Sequence, residues 1–174
     1  MIIVDVVTKS KKWQEVGDSV VGDIENICVD LILLTEIKTI LKKNFILEVS
    51  ISLASNLQMK KVNFKFRQKN QATNVLSFPA CDEKLIRKFG IKTIAKGLNH
   101  LFLGDIILAY ETIKKEAKEQ KKVFDHHLTH LILHSILHLI GYDHVSSKAA
   151  KVMEDLEIEI LQKFNIRNPY LQKI

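Results

Sequence analysis

Apolar residues recur along this chain with two periods, and the switches between them predict its elements. Ile2, Ile3, Val4, Val6 and Val7 read as an opening strand. Over residues 20–43 the spacing becomes helical: Ile24, Ile27, Leu31, Leu34, Ile37 and Leu41 share one stripe, and Asn44 is a plausible stop. Residues 45–53 alternate as a strand. Ser55 or Asn56 then caps a short helix through Leu57, Met59, Val62, Asn63 and Phe66. Residues 68–74 are polar and read as a loop, and residues 75–78 form a short strand closed by Pro79. Residues 81–99 carry Lys84, Arg87, Lys88, Lys92 and Lys96 over a weak pattern, which predicts an exposed insertion. A strand broken by Gly104 follows over 101–108. Next come a charged helix over 110–122 and a long apolar helix over 125–140. Ser146 or Ser147 caps a last helix bearing Val152, Met153, Leu156, Ile160 and Leu161. Strands and helices mix without strict alternation, which predicts an α+β or mixed α/β fold with one small sheet.

The length of 174 residues makes this one domain spanning 1–174, able to bury a sizeable core without a staple. Six glycines and two prolines exclude collagen-like and linker-rich readings. A formal charge of +6 allows an anionic partner such as nucleic acid without demanding one. Cys28 lies on the apolar stripe of the first helix and reads as core; Cys81 is far from it, so no disulfide framework is indicated and a reducing cytoplasm is the default. The apolar opening precedes its lysines and lacks a small-residue cleavage site, a poor match to a signal peptide. No apolar run approaches the roughly 18 residues of a membrane span, so no membrane association is expected.

Chemistry concentrates in the long helix. Six of the seven histidines fall between His126 and His144, in the run HHLTHLILHSILHLIGYDH. His134 and His138, four apart, project from one helical face and can reach one ion. Gly141 suits a helix end that turns the chain back and brings His144 to the same point. Three neutral imidazoles with an open fourth position are the arrangement of a catalytic zinc site, although nickel, copper and iron also suit such donors. His127 and His130 lie within about 40° of His134 on the helical wheel. They read as further ligands, donors beside the ligands, substrate contacts or purely structural residues. Zinc peptidases need a glutamate after the first histidine as proton acceptor; Ser135 stands there and cannot serve. Spacing alone therefore points to hydrolysis of some electrophile, with metal-bound hydroxide as the nucleophile.

The run HSILHLIGYDH closely resembles the H-G-x-L-H-L-x-G-Y-D-H signature of the YbeY family, bacterial zinc-dependent endoribonucleases of rRNA maturation. Ser135 replaces the usual glycine. A second block resembles the family's upstream motif: Asn63, Phe66 and Arg67, then Thr73, Asn74, Val75, Leu76, Ser77, Phe78 and Pro79, with Asn70 and Ala72 where an acidic residue and a proline are usual. Leu103, Gly104, Asp105 and Ile106 are similar to its L-G-D-I strand. Met153, Glu154, Leu156 and Glu157 match its M-E-x-L-E helix, and Asn168, Pro169 and Tyr170 its D-P-Y tail. The likeness covers about residues 45–170.

The resemblance implies one α+β domain with a small mixed sheet flanked by helices, and one zinc ion on His134, His138 and His144. It implies cleavage of single-stranded RNA in 16S rRNA 3′-end maturation and ribosome quality control. Arg67 is the implied functional arginine, and the implied catalytic pair is Arg67 with His134. Around them, Asp143 reads as a turn residue or a neighbour of the ligands. Asp105 is a candidate to orient a ligand or the sheet end, and Ser77 a candidate substrate contact. Lys60, Lys61, Lys65 and Lys69 could follow an RNA backbone, while no aromatic ladder for stacking is evident. The competing readings are a hydrolase of another bond, peptide included, and a non-catalytic ribosome-associated factor with a structural metal.

Overall fold

The computed structural model describes residues 1–42 and 44–171, without the side chains of Glu83, Arg87 and Phe89. Four strands form one sheet in the order β1-β2-β4-β3: β1 Ile2–Thr8, β2 Ile46–Ala54, β3 Val75–Pro79 and β4 His100–Ala109. The first three in that order run parallel, and β3 lies antiparallel at the edge. Strict alternation along β2 buries Leu47, Val49, Ile51 and Leu53 on one face. Against the sheet pack α1 (Val20–Leu34) on β1 and α6 (Phe124–Leu139) on β3 and β4. α6 also meets α1, α5 (Tyr110–Glu119) and α7 (Ser147–Lys163). α2 (Asn56–Arg67) reaches β4 and α5. This is the expected α+β domain around a small mixed sheet, with α6 as its central buried helix.

The local chemistry explains most boundaries. Ser55 and Gln58 close a reciprocal capping box at the start of α2, and Ser146 caps α7 by accepting from Ala149 N. The helix expected over 20–43 ends at Leu34 instead. Thr35 turns extended, donates its hydroxyl to Ile32 O at 2.8 Å, and starts a separate 3-10 turn at Glu36–Ile40. The expected end at Lys43 lies outside the described residues. Cys28 is fully buried, which pushes its thiol up to about 12, and it is unbridged.

Residues 81–99 are more than a solvated surface. They form α3 (Glu83–Phe89) and α4 (Ile91–Ile94), whose Ile86 and Ile91, with Ala95, are buried in the main core. Lys84, Lys88, Lys92 and Lys96 face solvent; the Arg87 side chain lies outside the described set.

Gly104 does not break β4. It lies in a bulge, where two steps of β2 from Glu48 to Ser50 match three of β4 from Phe102 to Asp105. Its φ is 139°, and a Cβ there would stand 2.2 Å from Phe78 O. Only glycine lets β3 approach this closely. Gly104→Ala is expected to lower the unfolding free energy by about 2–4 kcal/mol, from positive-φ strain plus overpacking. Gly22→Ala in α1, where nothing lies within 4 Å, should leave stability unchanged or raise it by up to about 1 kcal/mol. Equal denaturation midpoints for Gly104→Ala and the unsubstituted chain would contradict this account of β3.

Candidate metal centre

α6 is apolar on most of its surface. Leu131, Ile132, Leu133, Ile136, Leu137 and Leu139 are buried, and burying each contributes roughly 1.5–3 kcal/mol to holding the helix in place. The remaining stripe carries His127, His130, His134 and His138. Its C-terminus closes in a Schellman motif, with Tyr142 N donating to Leu137 O and Gly141 N to His138 O, both at 3.0 Å. Gly141 takes φ 101°, and a Cβ there would meet Ile86 Cγ2 at 2.4 Å. The turn is thus wedged against α3, and it swings His144 back over the helix end.

His134, His138 and His144 each present a ring nitrogen within 4.8 Å of the other two. His144 stacks on His134 with ring centroids 5.6 Å apart and stands edge-on to His138 at 5.0 Å. The partners of the other nitrogens fix how the rings point. His134 Nδ1 lies 2.8 Å from Glu157 Oε1, and His138 Nδ1 lies 3.0 Å from Tyr142 O. A carboxylate and a carbonyl only accept, so both Nδ1 atoms carry the hydrogens and both Nε2 atoms keep lone pairs. Those Nε2 atoms face each other at 3.1 Å. Two lone pairs repel at that separation unless a proton or a metal ion lies between them, and nitrogens bound to zinc at 2.0–2.1 Å lie about 3.3 Å apart in tetrahedral geometry. The donor set fits a divalent cation. Burial, and then His134 and His144 close by, hold the His138 ring nitrogen down to about 4, so it is neutral and ready to ligate near pH 7.

Glu157 is the residue that single-sequence reading left without a role. It is fully buried on α7, beside Met153 and Ile160. Burial opposes its ionisation, but bonds to His130, His134 and Tyr170 outweigh that and bring it to about 2. Its second oxygen meets His130 Nε2 at 3.2 Å and also accepts from the Tyr170 hydroxyl. His130 thus shares Glu157 with His134, and His130, His134 and Glu157 also bring donor atoms within 4.8 Å of one another. His127 is farther still: its Nε2 is 2.9 Å from Glu116 Oε2, which also accepts from Asn74 Nδ2 at 2.9 Å. That chain ties α6 to the loop before β3.

The three histidines open into a cleft of about 350 Å³ whose wall also holds Arg67, Asn74, Ser77 and Asp143. Arg67 arrives from the last residue of α2, and Ser77 from the face of β3 turned towards α6. Asp143 accepts from Val145 N at 3.1 Å. Asp105 is not in the lining. It is exposed on β4 and shares its rung with Ser50 and Phe78, on the sheet face opposite Ser77. Strand alternation removes it from the site. Ser135 is buried and donates to Leu131 O at 2.8 Å, so it too is outside the chemistry. A larger cavity of about 490 Å³ lies at the other end of the histidine stripe and includes His127 and His130. It contains none of the converging three, which line the smaller one.

Glu157→Gln tests this support. Its ionisation in the fold lies below the ordinary value of 4.5. The stability it contributes is therefore complete above about pH 4.5 and lost as pH falls towards 2. The gap in unfolding free energy between the unsubstituted chain and Glu157→Gln should shrink through that window. Zinc affinity at pH 7 should fall about 10- to 100-fold in the variant. Unchanged affinity would remove Glu157 from the site's support.

These features have counterparts in known proteins. A family model described as Endoribonuclease YbeY matches residues 9–165. The endoribonuclease YbeY of Bartonella quintana (strain Toulouse) is 38% identical over 172 residues, covering 99% of both chains. That of Bartonella bacilliformis is 48% identical over 125 residues, covering 72% of this chain and 73% of the relative. The solution structure of TM1509 from Thermotoga maritima aligns with a TM-score of 0.53 at 22% identity, covering 95% of this chain and 92% of that one, a likeness of fold alone. With a family model spanning nearly its whole length and a full-length relative at this identity, the chain belongs to the endoribonuclease YbeY family.

Proposed function

We propose that this protein is a zinc-dependent endoribonuclease that cuts single-stranded RNA, acting in the cytoplasm on 16S rRNA 3′-end maturation and ribosome quality control. The observation that carries the metal-dependent chemistry is the pair of lone pairs facing at 3.1 Å beside an arginine-lined cleft. The RNA assignment leans on the activity named for the relatives, and the rRNA role on the family likeness. The formal charge of +6 suits a polyanion.

His134, His138 and His144 would hold the ion, and it would supply Lewis-acid charge and lower the pKa of a water to about 7. The protein's own groups do the rest. Arg67 is exposed at the cleft, and its planar fork matches two phosphoryl oxygens at once. Glu157 and the Tyr142 carbonyl keep two imidazoles aimed, so no reorganisation is required as charge develops. The Asn74–Glu116–His127 chain fixes the loop that leads into β3 and Ser77. A peptidase is disfavoured, because Ser135 stands where that chemistry needs a carboxylate.

Chelation should abolish cleavage of single-stranded RNA, and zinc should restore it. Arg67→Ala should lower kcat/KM by about 10²- to 10³-fold without changing zinc content or Tm, and Arg67→Lys should recover little of it. Cleavage that survives both chelation and His138→Ala would overturn the proposal. It would leave the metal as a structural element of a ribosome-associated factor.

A further inference from the structure

α2 ends in the sequence NFKFR, and its last turn presents an aromatic ring to water. Phe66 is 59% exposed. A phenyl ring left in solvent forgoes the stabilisation that burial would give, and its surroundings show what could cover it. Its setting is cationic. Residues 56–71 contain Lys60, Lys61, Lys65, Arg67 and Lys69 and no acidic residue. Lys65 Nζ stands 5.1 Å from the Phe66 centroid. The ring is braced from behind by Phe78, with centroids 5.0 Å apart at 57°. Phe78 is half-buried and packs on the small cluster of Met59, Leu76 and Ala109, so the brace is anchored.

Position links this ring to the cleft. Arg67, the next residue, lines the cleft with His134, His138 and His144. Ser77 and Pro79 of β3 line it too, while Phe78 between them points to the opposite face. Because β3 is an edge strand, a strand of RNA leaving the cleft past Arg67 would meet Phe66 on rounding that edge. Phe64 and Leu57, also exposed, do not join the ring: Phe64 lies about 200° around the helix from Phe66. A lone braced ring among cations, rather than a continuous apolar patch, matches a nucleobase better than a protein partner.

We propose that Phe66, backed by Phe78, is a stacking platform for an unpaired RNA base adjoining the nucleotide whose phosphate Arg67 holds. The proposal rests on the RNA-cleaving reading above and adds a base-contact residue to it. Stacking on an aromatic face is sequence-tolerant, so the platform selects for unpaired bases rather than a particular base. It supplies an aromatic contact that the sequence did not reveal.

Phe66→Trp and Phe66→Ala test it in the full, metal-loaded chain. The native Trp13 is fully buried, so an indole at position 66 reports separately. On rapid mixing with a ten-nucleotide single-stranded RNA, before turnover, Phe66→Trp fluorescence should be quenched. The same strand with abasic positions should leave it bright. Phe66→Ala should weaken binding of the base-bearing strand at least about fivefold and leave the abasic strand unaffected, with Phe66→Trp restoring affinity. Absent quenching, or equal losses on both strands, would overturn the platform. If the unsubstituted chain binds and cuts RNA while Phe66→Ala changes nothing, the platform alone falls. If the unsubstituted chain neither binds nor cuts RNA, the nuclease reading falls with it.

Discussion

Two hydrogen bonds set the character of this molecule: His134 Nδ1 to the buried carboxylate of Glu157, and His138 Nδ1 to the carbonyl of Tyr142. Each spends the ring's only hydrogen on an acceptor and turns the other nitrogen, as a lone pair, towards a common point. One acceptor comes from a neighbouring helix and the other from the turn that ends α6 itself. The centre is therefore defined by tertiary packing and by chain reversal together. Neither the i, i+4 spacing nor the glycine turn would suffice alone. The spacing brings two rings together, and the bonds decide which atoms they present.

The rest of the fold holds these bonds steady. α6 is anchored by its apolar flanks against β3, β4 and α1. α7 carries Glu157 into the interior, where His130 and Tyr170 complete its partners. α3 presses Ile86 against Gly141, so the reversal that delivers His144 is packed rather than loose. The bulge at Gly104 lets β3 lie close to β4 and carries Ser77 to the cleft. Arg67 comes from a helix on a different side, capped in αL geometry at Gln68, so the cleft has a metal-capable wall and a cationic wall from separate elements.

Much of this was legible from residue pattern alone. The long helix, a helix start at Ser55 or Asn56, another at Ser146 or Ser147, and the approach of His134, His138 and His144 to one another all follow from periodicity and spacing. What escaped depends on non-local contacts. Thr35 ends α1 through its own hydroxyl while the apolar stripe runs on unbroken. Lysines in residues 81–99 hid Ile86 and Ile91, whose burial depends on where α6 ends. Asp105 could have been set aside by strand alternation once β4 was paired with its neighbours. Glu157 left a signal: a carboxylate on an otherwise apolar stripe with Met153, Ile160 and Leu161. Phe66 left only its place in the upstream motif, since a ring on a short basic helix reads as core until the buried face of α2 is known.

The central claim is that three imidazoles, two of them aimed by Glu157 and Tyr142, share one ion. Its most direct test is a crystal structure with one equivalent of zinc, with the ion located by anomalous scattering. One ion per chain is expected, bound by Nε2 of His134 and His138 and by a ring nitrogen of His144 at 2.0–2.1 Å, with at least one position open towards Arg67. An ion held instead by Glu157 and His130, or a fourth protein ligand sealing the site, would contradict the account.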